Sequence, residues 1–194
     1  MLIIITGASG SGKSSISSYL ASLNSKIVHL NIDEIAHLVI SKKEVIKELI
    51  TSFNLSPLED GSINRKGLAD IVFNNQLKMD RLTEITWKYM EEEIDNIILK
   101  NKDKIIILDW LLITKTKYFN DSDLKILVKS DSSERTKRAV KRDHISEEKF
   151  LERDKARVTY DESKFNYIIE NNNIDISKRK VKMLYDKSIV SRKF

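Results

Sequence analysis

The chain has no cysteine, one proline and only five glycines in 194 residues. Without cysteine there is no disulfide, no thiolate-bound zinc and no thiol nucleophile, which agrees with a reducing compartment. Long apolar runs are missing too, since none approaches the ~20 residues that cross a bilayer. The N-terminal run Leu2 to Thr6 lacks a basic flank and leads straight into a loop, so no secretory leader and a cytoplasmic location are expected. The three histidines, His29, His37 and His144, have no metal-ligand spacing. Neither sign of charge dominates: 34 basic against 29 acidic residues leave +5. That surplus suits a cleft for an anionic substrate plus a basic tail better than a nucleic-acid surface. No repeat or low-complexity linker divides the chain, and one domain with inserts is expected.

What glycine there is clusters. Leu2-Ile3-Ile4-Ile5-Thr6 reads as a buried strand, Gly7-Ala8-Ser9-Gly10-Ser11-Gly12-Lys13-Ser14 as a loop, and the residues from Ser14 to Leu23 as a helix. The loop has the pattern G-x-x-x-x-G-K-[ST], in which glycines let backbone N–H groups approach a polyphosphate and the helix N-terminus adds partial positive charge. Lys13 would reach the β- and γ-phosphates, and the Ser14 hydroxyl would face Mg²⁺. The contacts to the triphosphate are expected to run through Gly7, Ala8, Ser9, Gly10, Ser11, Gly12, Lys13, Ser14 and Ser15.

Further along, Lys26 to Asn31 is a second strand, and Asp33 follows at its carboxyl end, where ligands bind in open α/β sheets. Position alone leaves open whether Asp33 serves a ligand or caps a helix starting at Glu34. Helical spacing continues from Ile35 to Phe53, again from Asn64 to Phe73, and from Met79 to Leu99. So long a stretch before the next strand is an insert able to supply an acceptor pocket. Lys104 to Asp109 is the third strand; its terminal acid, after a run of aliphatics, resembles the Walker-B position that helps hold Mg²⁺. Leu124 to Val128 is the fourth strand and Tyr167 to Glu170 the fifth. Between them Arg135, Arg138 and Arg142 share one face of a helix from Ser133 to Asp143, either as a solvated face or as charge for a phosphoryl group. A second helix, capped by Ser146, is expected from Glu147 to Val158, with Arg153 and Arg157 one turn apart. Val181, Leu184 and Tyr185 suggest an amphipathic closing helix.

In this order the motifs resemble dephospho-CoA kinase, which phosphorylates the ribose 3′-hydroxyl of dephospho-CoA. The resemblance runs from Met1 to about Asn171. It is carried by the loop Thr6 to Ser14, Asp33-Glu34-Ile35-Ala36-His37, Ile63 to Phe73, Leu111-Leu112, Arg138 to Asp143, and Ile168 to Asn171. It implies Asp33 as the acid that takes the proton of the attacking hydroxyl, and Lys13, Arg138 and Arg142 as the other catalytic residues. It further implies ATP and Mg²⁺ as cofactors, with Ser14 and Asp109 toward the metal, and His37, Arg65, Leu111 and Leu112 beside Asp33 on the acceptor. The implied fold is a three-layer α/β kinase with a parallel five-stranded sheet in the order 2-3-1-4-5. Its core would be 1–34, 100–137 and 159–194, its acceptor-binding insert 35–99 and its lid 138–158. A small-molecule partner, no membrane, no nucleic acid, and a monomer or weak homo-oligomer are expected.

The chain departs from the family's pattern in several places. Trp110-Leu111-Leu112-Ile113-Thr114 stands for Pro-Leu-Leu-Phe-Glu, Ile85-Thr86-Trp87-Lys88 for an Ile-Thr-His-Pro-like stretch, and Asn31 for the first acid of an Asp-x-Asp pair. Arg157 stands for a Gln and Phe165-Asn166 for Ala-Asp. Two alternatives follow: another small-molecule or nucleoside-monophosphate kinase with Trp87 and Trp110 lining the pocket, or a nucleotide-binding protein without turnover.

Overall fold

Five short aliphatic runs become parallel strands: β1 (Leu2–Thr6), β2 (Ile27–Asn31), β3 (Ile105–Asp109), β4 (Leu124–Lys129) and β5 (Tyr167–Glu170). The computed structural model describes residues 1–73, 75–155 and 158–190. The strands hydrogen-bond in the order β2-β3-β1-β4-β5, as the resemblance implied. Ile3, Ile4 and Ile5 of β1 are fully buried, as are Ile107 and Leu108 of β3. Central strands covered on both faces need such unbroken aliphatic runs, and each buried side chain contributes roughly 1.5–3 kcal/mol. One face of the sheet packs Ile3, Ile5, Ile107 and Ile126 against Ile16 and Leu20 of α1 (Lys13–Ser22) and against Val181 and Leu184 of α9 (Ile174–Leu184).

Because every strand points the same way, all carboxyl ends share one edge. Register places Ile5 beside Asp109 and Asn31 beside Asp109, so β3 ends between its neighbours. The strand order reverses beside β1, and in open α/β sheets ligands bind outside the carboxyl ends at such a reversal.

The chain divides into two compact units, residues 1–31 with 101–194, and residues 32–100. The second holds four helices, α2 (Ile32–Val39), α3 (Lys43–Phe53), α4 (Arg65–Phe73) and α5 (Gln76–Lys100), the first three packing on the last. Tyr89 donates its hydroxyl to Glu48 at 2.9 Å, and Lys42 pairs with Glu93. The continuous helix expected from Ile35 to Phe53 is in fact two. Tight turns at Ser41 and Lys42, whose N–H groups bond to the carbonyls of Leu38 and Val39, end α2, and the Ser41 hydroxyl bonds back to His37. The alternative in which Asp33 caps a helix from Glu34 also fails, because α2 starts at Ile32 and Asp33 lies within its first turn. The long helix starts at Gln76 rather than Met79, with the Asn75 side chain accepting from the Lys78 N–H.

The first unit also holds α6 (Lys117–Asp121), α7 (Ser132–Asp143) and α8 (Glu147–Lys155), and α9 runs on into a π-helical turn at Tyr185–Val190. The Ser146 hydroxyl accepts from the Lys149 N–H, as a cap should. Arg157, expected one turn beyond Arg153, lies outside the described residues, as does 191–194 at the end of the closing segment.

Candidate active site

The loop after β1 is shaped by what its glycines cannot carry. Gly12 sits at φ +85° as the residue capping α1, and a Cβ there would run into the Asn171 amide. Gly10 sits at φ +77° with its α-carbon facing the Arg135 backbone, and an added Cβ would lie 2.9 Å from Arg135 Cα. Left-handed backbone and crowding together demand glycine at both positions. Gly7 is tight for space alone, because a Cβ would strike the Val128 carbonyl. Among the described residues no side chain caps α1, and its first turn has no acidic residue. The N–H groups of that turn are therefore left for an anion, and the helix dipole favours one.

Around this turn lies a cleft of about 280 Å³, lined by Gly10, Gly12, Lys13, Ser14, Ser15, Arg138 and Arg142. Beside it, a hollow of about 350 Å³ runs from Gly12 and Arg138 along Asn171, Asn172 and Asn173 to Asp175. The face shared by the α7 arginines is thus turned to the loop, but the three differ. Arg135 is buried and paired with Asp154. Arg138 Nη2 donates to the Asn171 carbonyl at 2.8 Å, while its Nη1 is 3.4 Å from the Ser11 carbonyl. Arg142 is exposed, chelates Asp143 at 2.7 and 2.9 Å, and reaches the Ser9 hydroxyl at 3.4 Å. Its guanidinium holds the Asp143 carboxyl below the ordinary carboxylate range.

Asp109 closes β3 at 1% exposure, and among the described residues neither carboxylate oxygen has a hydrogen-bond partner. His29 Nε2 lies 3.4 Å from Oδ2. A buried carboxylate facing His29, next to the strand that feeds the loop, belongs to the oxygen-donor class that a hard cation such as Mg²⁺ takes. Ser14, exposed in the first turn of α1, adds a hydroxyl of the same donor class. No group of three or more His, Cys, Asp or Glu suited to a metal occurs among the described residues.

Asp33, His37 and Arg65 belong to the helical unit. Asp33 and His37 stand one turn apart on α2, both exposed. Arg65 Nη1 is 3.5 Å from His37 Nδ1, and its Nη2 donates to the Ser41 hydroxyl at 2.8 Å. Leu111 and Leu112 are half-buried in the turn after β3. The Leu111 carbonyl accepts the Tyr160 hydroxyl at 3.0 Å, and the Trp110 carbonyl accepts that of Thr6 at 2.7 Å.

Sequence reasoning gave no role to three contributors. Asn171, 1% exposed, donates Nδ2 to the Ser11 carbonyl at 2.8 Å and so braces the loop from the end of β5. Its signal was there, an Asn at a strand's carboxyl end on the ligand-binding edge. Tyr160 and Asp154 carried no such signal, because nothing local in the sequence marks a partner reached only through tertiary packing.

A glycine loop fixed between strand and helix, a lysine and serine on the first helical turn, arginines from a second helix over the cleft and a parallel sheet in this order together define a phosphate-binding-loop kinase. The chain belongs to the dephospho-CoA kinase family, whose family model matches residues 1–176. A dephospho-CoA kinase of Fusobacterium nucleatum is 33% identical over 175 residues, covering 89% of this chain and 90% of that protein. One from Aquifex aeolicus is 32% identical over 188 residues, covering 94% of each. Among solved structures, the protein TT1252 from Thermus thermophilus matches with a TM-score of 0.79 at 22% identity, covering 97% of both chains. That last likeness is one of fold.

Proposed function

We propose that this protein transfers the γ-phosphoryl group of ATP to the ribose 3′-hydroxyl of dephospho-CoA, giving CoA and ADP. The observation that carries the reading is a glycine loop whose backbone and crowding require Gly10 and Gly12, within a chain that matches the kinase family over residues 1–176. The triphosphate lies along the N–H groups from Gly7 to Ser15. Lys13 neutralises the β- and γ-oxygens as charge builds on the β–γ bridge. Arg138 and Arg142, with the lid at 138–158, cover the phosphates and exclude water that would otherwise hydrolyse ATP.

Asp33 accepts the proton of the ribose hydroxyl as its oxygen bonds to the γ-phosphorus and the bond from that phosphorus to the bridging oxygen breaks. ADP departs with the bridging electron pair. The helical unit binds the acceptor, with His37 and Arg65 toward its anionic groups and Leu111 and Leu112 contributing from the turn after β3. Ser14 and Asp109 are the residues that would hold Mg²⁺. When bound, the ion supplies Lewis-acid neutralisation of phosphate oxygens.

Other acceptors would call on Trp87 and Trp110 as pocket walls. Trp110 is 7% exposed, however, so its ring is already taken up by packing. The test is direct: purified protein with ATP, Mg²⁺ and dephospho-CoA is expected to yield ADP and CoA in equal amounts. Absence of turnover there, with turnover on another alcohol from a panel of nucleotide acceptors, would overturn the assignment.

A further inference from the structure

The buried ion pair between α7 and α8 has no part in the chemistry above, yet it touches the loop that does. Arg135 and Asp154 side chains are 5% and 6% exposed. Arg135 Nη1 donates to Asp154 Oδ1 at 2.8 Å and also to the Ser9 carbonyl at 3.1 Å, while Nη2 donates to Oδ2 at 2.5 Å. The Phe150 ring, with its centroid 6.0 Å from the guanidinium carbon, shields the pair. Taking two charges out of water is expensive, and replacing such a pair with apolar side chains often leaves a protein as stable or more so. Its worth therefore has to be sought in geometry.

That geometry concerns one peptide plane. The bond from Ser9 to Gly10 is trans, so its carbonyl and its N–H point to opposite sides. With the Ser9 carbonyl bonded to Arg135, the Gly10 N–H is turned the other way. Gly10 is among the residues lining the phosphate cleft, and at φ +77° a glycine peptide has little steric resistance to flipping. Arg135 supplies the resistance that a side chain at Gly10 cannot. Asp154 in turn fixes the guanidinium, because a bidentate carboxylate leaves an arginine one orientation.

We propose that Arg135, oriented by Asp154, is a positioning residue that locks the Ser9–Gly10 peptide of the phosphate loop in the triphosphate-binding orientation. Helix α8 is thereby tied to the loop, so the two are set together. The inference rests on the ATP-binding reading above. Neither residue touches substrate in it; both act through the loop backbone.

The test compares Asp154→Asn, Arg135→Lys and the double variant Arg135→Leu with Asp154→Leu against the parent protein. It measures ATP affinity by calorimetry without acceptor, KM for each substrate, kcat and thermal midpoint. Asp154→Asn is expected to weaken ATP binding and raise its KM about tenfold, the loss of one charged hydrogen bond's worth of order, with KM for dephospho-CoA within about twofold. Arg135→Lys keeps the charge but lacks the fork needed to serve Asp154 and Ser9 at once, and is expected to behave like Asp154→Asn. The double leucine variant is expected to regain the parent's thermal midpoint while keeping the raised KM for ATP. Restored ATP affinity in that variant, or unchanged KM with only the midpoint lowered in the single variants, would make the pair purely structural and overturn the proposal. Failure of the parent protein itself to bind ATP would instead overturn the functional reading.

Discussion

The two units solve the problem of holding a ligand group by different means. In the sheet-based unit, the loop's shape is over-determined: Gly10 and Gly12 are held left-handed against Arg135 and Asn171, and carbonyls of Ser9 and Ser11 are bonded by side chains far along the chain. In the helical unit, Asp33 and His37 stand exposed on an eight-residue helix, and Arg65 reaches His37 and Ser41 from a neighbouring helix. One surface is built from backbone and tolerates almost no substitution; the other is built from side chains on a helix and can be re-dressed. Of the departures from the family's pattern, the one at Trp87 falls in the helical unit, while those at Asn31, Trp110 to Thr114 and Phe165-Asn166 belong to the sheet-based unit but lie outside the loop itself.

The sharpest way to break this comparison is to remove one charged group from each unit. Asp33→Asn is expected to lower kcat by about two to four orders of magnitude, the usual yield of a positioned base, while ATP affinity stays near the parent value. Lys13→Met is expected to lower kcat by about two to three orders of magnitude and to weaken ATP binding as well, since its charge meets the phosphates in both ground and transition states. Single-turnover rates with calorimetry of ATP binding separate the two. If Asp33→Asn weakened ATP binding as much as it slowed transfer, the division of labour between the units would be wrong.

Glycines offer a gentler version. Gly12→Ala meets both a left-handed φ and the Asn171 amide, whereas Gly61→Ala, at φ +78° in the helical unit, has nothing among the described residues within 4 Å of the added carbon. Gly61→Ala is expected to cost about 1 kcal/mol of stability, the bare left-handed penalty, and to leave ATP affinity unchanged. Gly12→Ala is expected to cost more than that in chemical denaturation and to lose ATP binding at ordinary concentrations, because the capping turn has to move. Equal effects at the two positions would mean that strain, and not contact with Asn171, sets the loop.

How much of this was legible in the chain depended on whether the cause was local. β1, the loop and the start of α1 form one contiguous segment whose period, glycines and charge all agree, so Lys13 and Ser14 were readable at once. Strand order was not: nothing in an apolar run such as Ile105 to Asp109 says which strand lies beside it, and the order followed only from the resemblance. The break between α2 and α3 was invisible because apolar residues continue at helical spacing through Ile40, while the interruption comes from a serine bonding back to His37. Arg135 was read with Arg138 and Arg142 as one face, correctly, but a partner nineteen positions away on another helix decided that it is buried rather than offered to a ligand.

The smallest effect expected is at Tyr160, where the sheet-based unit joins the turn after β3 to the base of the loop. Its hydroxyl donates to the Leu111 carbonyl at 3.0 Å and lies 3.3 Å from the Thr6 hydroxyl. Burial pushes its phenol above the ordinary value of 10.0, outweighing the hydrogen bonds from Thr6 and Gly7 that pull the other way. A group whose folded-state pKa is raised keeps its proton in the native state after the unfolded chain has lost it. Between those two values the unfolded state binds fewer protons, so stability is full below about pH 10 and falls as pH rises beyond it. Tyr160→Phe removes both the bond and this titration. It is expected to cost about 1 kcal/mol at neutral pH, the net worth of a single hydrogen bond. In return the variant's stability should decline less steeply than the parent's in urea titrations carried from pH 9 to 11. A parallel decline in the two proteins would show that the hydroxyl is solvated, and that the turn at Leu111 is held by the Thr6 hydroxyl and the Trp110 N–H bond to Ile5 without it.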